Sequence, residues 1–94
     1  MILLIPAHHD QLLANAARSD VDHIPVVKFF NPLGAGVWLG TELDEDGDIM
    51  FGLADLGYPE LGYWSLSEMQ SVRLPFGMGI ERGLLFTGDF PISV

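Results

Sequence analysis

Five acids crowd the seven residues Glu42-Leu43-Asp44-Glu45-Asp46-Gly47-Asp48, the densest set of metal-ligand types in the chain. Read as a calcium loop, Glu42, Asp44 and Asp46 would fill positions 1, 3 and 5, with Gly47 at position 6 for the turn. Position 12 then falls on Leu53, where the ion needs a bidentate glutamate, so the run reads as a solvated hairpin tip. His8-His9-Asp10 with His23 offers imidazole and carboxylate, a zinc donor set. Neighbouring histidines on a helix diverge by about 100°, unlike an i, i+4 pair, so these read as helix-start and loop residues. No metal is expected.

Other chemistry fails on geometry or charge. Gly77-Met78-Gly79 with Gly83, and Gly34-Ala35-Gly36 with Gly40, each place the third glycine one residue late for a dinucleotide loop, and neither opens a helix after a strand. Ser65 or Ser67 with His9 or His23 would make a nucleophile and base only through an unforeseen fold contact, and Ser65 already suits a helix cap. Exposed carboxylates on a hairpin stay ionised and make poor general acids. No catalytic residue and no cofactor is expected. Arg73 and Glu81-Arg82 read as structural ion-pair partners, with Arg73 at a helix C-terminus, where a cation complements the dipole.

The elements that must carry these residues follow from periodicity. From Pro6 to about Ser19, Leu12, Leu13, Ala16 and Ala17 recur at i, i+1, i+4 and i+5, which predicts an amphipathic helix with a narrow face. Val26-Val27-Lys28-Phe29-Phe30 predicts a strand, closed by Asn31-Pro32-Leu33-Gly34. Val37, Leu39, Thr41 and Leu43 alternate with polar or small residues, as do Ile49, Phe51 and Leu53, and Glu45-Asp46-Gly47 between them fits a three-residue hairpin loop with Gly47 left-handed. That register pairs Leu43 with Ile49 and Thr41 with Phe51, turning Glu42, Asp44 and Asp48 to one outward face beside Trp38 and Met50. Residues 57–62 read as a turn. A short helix then starts at Ser65, with Glu68 completing a capping box and Trp64 stapling onto Met69. Glu81 to Thr87 offers a last strand through Leu84, Leu85 and Phe86. The expected class is α+β, a small antiparallel β-sheet of about four strands with an N-terminal helix and a short second helix packed on it.

Ninety-four residues make a single domain over 1–94, one that buries about 60 to 65% of the surface its unfolded chain exposes. With 49% hydrophobic residues, the acidity is not a sign of disorder. No cysteine is present, so disulfides, thiolate metal sites and thiol nucleophiles are excluded, and a cytoplasmic setting fits. The apolar start, Met1 to Ile5, has no positive flank and is far short of the roughly 20 residues that span a bilayer, so the chain reads as soluble and unexported. Thirteen acids face four bases, and the 44 residues between Lys28 and Arg73 hold eight acids and no base. Such a field repels nucleic acid and anionic membrane and attracts basic surfaces.

Val26 to Phe30, Thr41-Glu42-Leu43 with Phe51-Gly52, Leu61 to Glu68, Val72-Arg73, Pro75-Phe76-Gly77 and Ile80-Glu81-Arg82 together resemble domain of unknown function 2958, over about residues 25 to 87. Members are small bacterial proteins often carried on plasmids and other mobile DNA, so the resemblance implies a mobile-element protein and no assigned activity. The family usually has an acidic residue and often a histidine after Glu81-Arg82, where this chain has Gly83 and Leu85. A site built on that pair would be missing here.

The leading expectation is a non-catalytic acidic binding protein that inhibits or engages a host protein with a basic surface. A DNA mimic acting on a CRISPR effector or restriction enzyme is one form of it. The contact would be Trp38, Glu42, Asp44, Glu45, Asp46 and Asp48, a rigid row of charge with Trp38 as anchor. Direct nucleic-acid binding and membrane binding are not expected. The first alternative is an enzyme or small-ligand protein with a pocket between sheet and helices, walled by Tyr58, Tyr63, Trp64 and Phe76. The second is a homodimer through an edge strand near Leu84 to Phe86, in place of a monomer.

Overall fold

The computed structural model describes residues 3–18, 20–84 and 86–92. Helix α1 spans Pro6–Ala16, and Pro6 suits its first turn because the missing N–H would be unsatisfied there in any case. Five strands follow: β1 (Val27–Phe30), β2 (Val37–Leu43), β3 (Ile49–Asp55), β4 (Pro59–Ser65) and β5 (Glu81–Arg82). Helix α2, Leu66–Ser71, lies between the last two. All pairings are antiparallel, in the order β4-β3-β2-β1-β5. The architecture is α+β, with a fifth strand beyond the four expected.

Both helices serve one face of the sheet. Leu12 of α1 and Leu66 and Met69 of α2 join Leu3, Val27, Phe29, Leu43, Met50 and Ile80 in the core. Phe29 is the largest of the fully buried side chains, and truncating such a ring costs about 3–5 kcal/mol.

The hairpin register departs from expectation in two places. Asp44 N–H donates to the Ile49 carbonyl at 2.8 Å and Leu43 pairs with Met50, so Glu45 to Asp48 form a four-residue loop, one longer than expected. That single residue turns β3 over: Met50 is fully buried, while Ile49, Phe51 and Leu53 take the opposite face. Gly47 is left-handed as expected, at φ 74°. A bulge between Gly40 and Glu42 then leaves Thr41 without a ladder partner. Thr41 Oγ1 donates to the Phe51 carbonyl at 3.2 Å, and the Thr41 carbonyl accepts from Asn15 Nδ2 of α1 at 2.9 Å. The bulge restores Leu43 to the core and sends Glu42 outward.

Three glycines, Gly40, Gly52 and Gly62, stand opposite one another across β2, β3 and β4. A Cβ on Gly40 would strike Met50 and Val27, and one on Gly52 would sit on the Leu39 carbonyl, whereas Gly62 faces open space. The bulge draws the β2 backbone against Gly52.

Other boundaries shift as well. α1 ends at Ala16, short of Ser19, which lies outside the described residues. Residues 59–62, expected as turn, are the first half of β4. The last strand is only Glu81–Arg82; Leu84 and Phe86 are not in a strand, and Leu85 lies outside the described residues. Phe76, 92% exposed, takes φ 64°, a left-handed conformation that costs a residue with a bulky Cβ roughly 1–2 kcal/mol.

Three substitutions test these backbone constraints. Gly52→Ala should destabilise by about 2 kcal/mol or more and Gly62→Ala by less than about 0.5 kcal/mol, measured by urea unfolding. Phe76→Asn should stabilise by about 0.5–1 kcal/mol, since asparagine tolerates the left-handed region and no buried area is lost.

Candidate functional site

Asp48 ends the hairpin loop beside the start of α2, where the sequence supplies three amides needing acceptors. The Asp48 carbonyl accepts from Leu66 N–H at 2.8 Å, its Oδ1 from Ser67 N–H at 2.7 Å and its Oδ2 from the Ser65 hydroxyl at 2.8 Å. Ser65 Oγ in turn accepts from Glu68 N–H at 3.2 Å, the expected cap. The hairpin tip is thereby fastened to the helix. The Ser67 amide foremost, then the Ser65 and Ser67 hydroxyls, hold the Asp48 carboxyl below the ordinary aspartate value of 3.8.

Asp46 also turns back on its own loop, with Oδ1 accepting from Asp48 N–H at 2.8 Å and Ile49 N–H at 3.1 Å. Glu45 is exposed at the tip. Glu42 and Asp44 are different, for they project from the outer sheet face. Glu42 stands opposite Phe51, and Phe51 opposite Tyr63, whose rings lie 5.0 Å apart at 56°. Tyr63 is 76% exposed and Leu61, two residues earlier on the same face, 50%. Ala16, Glu42, Asp44, Ile49, Phe51 and Tyr63 enclose a groove of about 210 Å³. The C-terminal segment, by contrast, shares a cleft with Pro25 and Leu39 at the β1–β2 side.

The expected contact row is therefore divided. Glu42 and Asp44 share a face as expected, but Asp48 faces α2, and Met50 is in the core. Trp38 sits near the far end of β2, opposite Ala54, and packs against the core on the helix side. It does not flank the acidic tip. The pocket expected between sheet and helices does not form from its four aromatics. Tyr63 and Trp64, adjacent on β4, take opposite faces; Trp64 packs on the core, while Tyr58 and Phe76 are exposed in separate turns.

The remaining candidates lie apart from this face. His9 Nδ1 is 3.8 Å from Asp10, and His23 Nε2 lies 2.7 Å from the Arg18 carbonyl. His8 is partly buried; that burial, with the Arg82 charge adding to it, lowers its pKa from 6.5. Among the described residues no group of three or more His, Cys, Asp or Glu side chains could hold a metal ion. Arg73 Nη1 donates to the Gln70 and Val72 carbonyls at 3.3 and 3.4 Å, the helix-end role expected of it. Glu81 and Arg82 pair with Phe30 and Phe29 across the short edge ladder.

The family described as protein of unknown function (DUF2958) matches residues 3–94. The chain belongs to the DUF2958 family. No curated protein and no solved structure matches it. Among the described residues of this DUF2958 protein, no helix is long and apolar enough to cross a membrane.

Sequence reasoning does not give Phe51 and Tyr63 as a pair on the acidic face, because a three-residue loop turns Phe51 to the core and the turn formers of residues 57–62 hide β4. The signal available was Asp46, an Asx residue whose carboxylate can bridge two following amides and so favours the longer turn.

The Asp48 clamp has a pH signature. Because its folded-state pKa is lowered, its contribution is complete above 3.8, the ordinary value, and is lost as pH falls through the folded-state value. Asp48→Asn should be less stable than the native chain at neutral pH, and the two should converge as pH drops below 3.8, followed by thermal melts across pH.

Proposed function

We propose that this protein is a non-catalytic binding module that engages a basic protein surface through the acidic end of its sheet. The observation that supports this reading most is the pairing of Glu42 and Asp44 with an open aromatic pair, Phe51 and Tyr63, in a region of the chain without one basic side chain. The carboxylates of Asp46 and Asp48 close the loop and hold the start of α2, and Asp44 gives one oxygen to Glu45 N–H. Carboxylates that face outward beside exposed aromatic area have the composition of an interface, where aromatic anchors carry much of the energy and charge sets partner and encounter rate.

The class of partner proposed first is a nucleic-acid-binding defence protein of the host. Its DNA-binding face is basic, and the family resemblance implies a protein carried on mobile DNA. The outward carboxylates would then occupy positions that phosphates otherwise take.

A low-salt pull-down with the tagged protein from a bacterial lysate, repeated with the Glu42→Lys/Asp44→Lys double variant, tests the reading. The native chain should retain a basic protein that the variant loses. Binding of the purified partner should then weaken by about tenfold or more between low and physiological salt. Retention of the same partner by the variant would remove this face from the contact. Asp48 is left intact in the variant because its loss would release α2.

A further inference from the structure

The groove beside Tyr63 has the dimensions and chemistry of a receptor for one side chain. At about 210 Å³ it lies below the roughly 300–1,000 Å³ of pockets that enclose a small-molecule ligand or cofactor. One wall is aromatic, with Tyr63 tilted at 56° against Phe51 and 76% exposed. The other carries two carboxylates. Asp44 gives one oxygen to Glu45 N–H at 2.9 Å, while the carboxylate of Glu42, a half-buried residue, has no hydrogen-bond or ion-pair partner among the described residues. A carboxylate beside an aromatic surface and without a partner is open to a donor brought by another molecule.

We infer that this groove takes the guanidinium of an arginine presented by the partner protein. The inference rests on the reading of the acidic end as a protein-binding face and names what that face recognises. A guanidinium has five donors in a planar fork, enough for both carboxylates, and its weakly hydrated plane stacks on an aromatic ring. A lysine ammonium supplies the charge but not the plane. A divalent cation is poorly served, because calcium needs six to eight oxygens and one side of the groove is aromatic. A second copy of the chain brings a net charge of −9 and is repelled.

The probes are two labelled peptides, one of alternating arginine and glycine and one of alternating lysine and glycine, equal in length. Affinity is measured by fluorescence anisotropy at low salt, with amide shifts of the isotope-labelled protein recorded beside it. The native chain should bind the arginine peptide roughly two- to fivefold more tightly than the lysine peptide, because the guanidinium plane stacks on the ring and forks to both carboxylates while the ammonium does neither. Shifts should concentrate at Glu42, Ile49, Phe51 and Tyr63. Tyr63→Ala should remove the difference while leaving lysine-peptide binding in place, and Glu42→Gln with Asp44→Asn should weaken both peptides. Because Tyr63 is mostly exposed, that variant should keep its melting temperature, which is checked alongside.

Equal affinity for the two peptides with Tyr63→Ala unchanged, or shifts centred on Asp55 and Glu60, would overturn the groove and leave the charged surface as a binding face. No binding of either peptide would overturn both readings.

Discussion

The outer face of this protein exists because β2 holds one residue too many. Without the bulge at Thr41, alternation from Gly40 onward would turn Leu43 to solvent and carry the Glu42 carboxylate toward the core, a burial that costs several kcal/mol for an unpaired ion. The bulge is itself costly, since it frees a carbonyl inside the fold. Asn15 Nδ2 of α1 supplies the missing donor at 2.9 Å and Gln11 Nε2 donates to Asn15 Oδ1 at 2.8 Å, so the helix is tied to the strand at the point where the strand changes phase. Helix docking, core closure and the outward aim of Glu42 are therefore one arrangement.

A second economy operates at the tip. Five acids within seven residues should repel one another and open the loop. Three of them accept backbone amides instead, Asp44 only that of its neighbour Glu45. Asp46 closes the turn on two following amides, and Asp48 satisfies the start of α2, whose positive end favours a carboxylate. Hydrogen bonding to the charged form stabilises it, so part of the negative charge becomes structural while the free carboxylates are left at the rim of the groove. α2 is only six residues long and would not hold in water without this tether and the burial of Leu66 and Met69.

Local chemistry with one dominant signal was readable in the sequence. Ser65 three residues before Glu68 marks a cap whatever surrounds it, Gly47 marks a left-handed turn residue, and Arg73 marks the end of α2. Features that depend on counting between elements were not. Both three- and four-residue hairpin loops fit Glu45 to Asp48, and the choice inverts every side chain of β3. Ile49, Phe51 and Leu53 look more suited to a core than Met50 and Gly52. They lie outside because the core, filled from the helix side by Leu12, Leu66 and Met69, accepts a flexible methionine over glycine-cleared backbone. Residues 57–62 carry so many turn formers that β4 could be recognised only through its pairing with β3. The groove is not legible from any one of these signals, for it needs the bulge, the loop length and β4 together.

The charge that first distinguishes the sequence then acts at two separate places. Glu42, Asp44, Glu45, Asp46 and Asp48 gather at one end of the β2–β3 hairpin, while Asp55 and Glu60 lie at the other, six residue steps along β3, about 20 Å away. Exposed charges that far apart are screened from one another at a Debye length of about 8–10 Å. The proposed basic partner would be steered from a distance by the summed field, but in contact with the groove it would meet only the tip acids and the aromatic wall. On the proposed reading, long-range attraction and close recognition would thus be carried by different residues. Substitutions at Asp55 and Glu60 would act on encounter, and those at Glu42, Asp44 and Tyr63 on the lifetime of the complex.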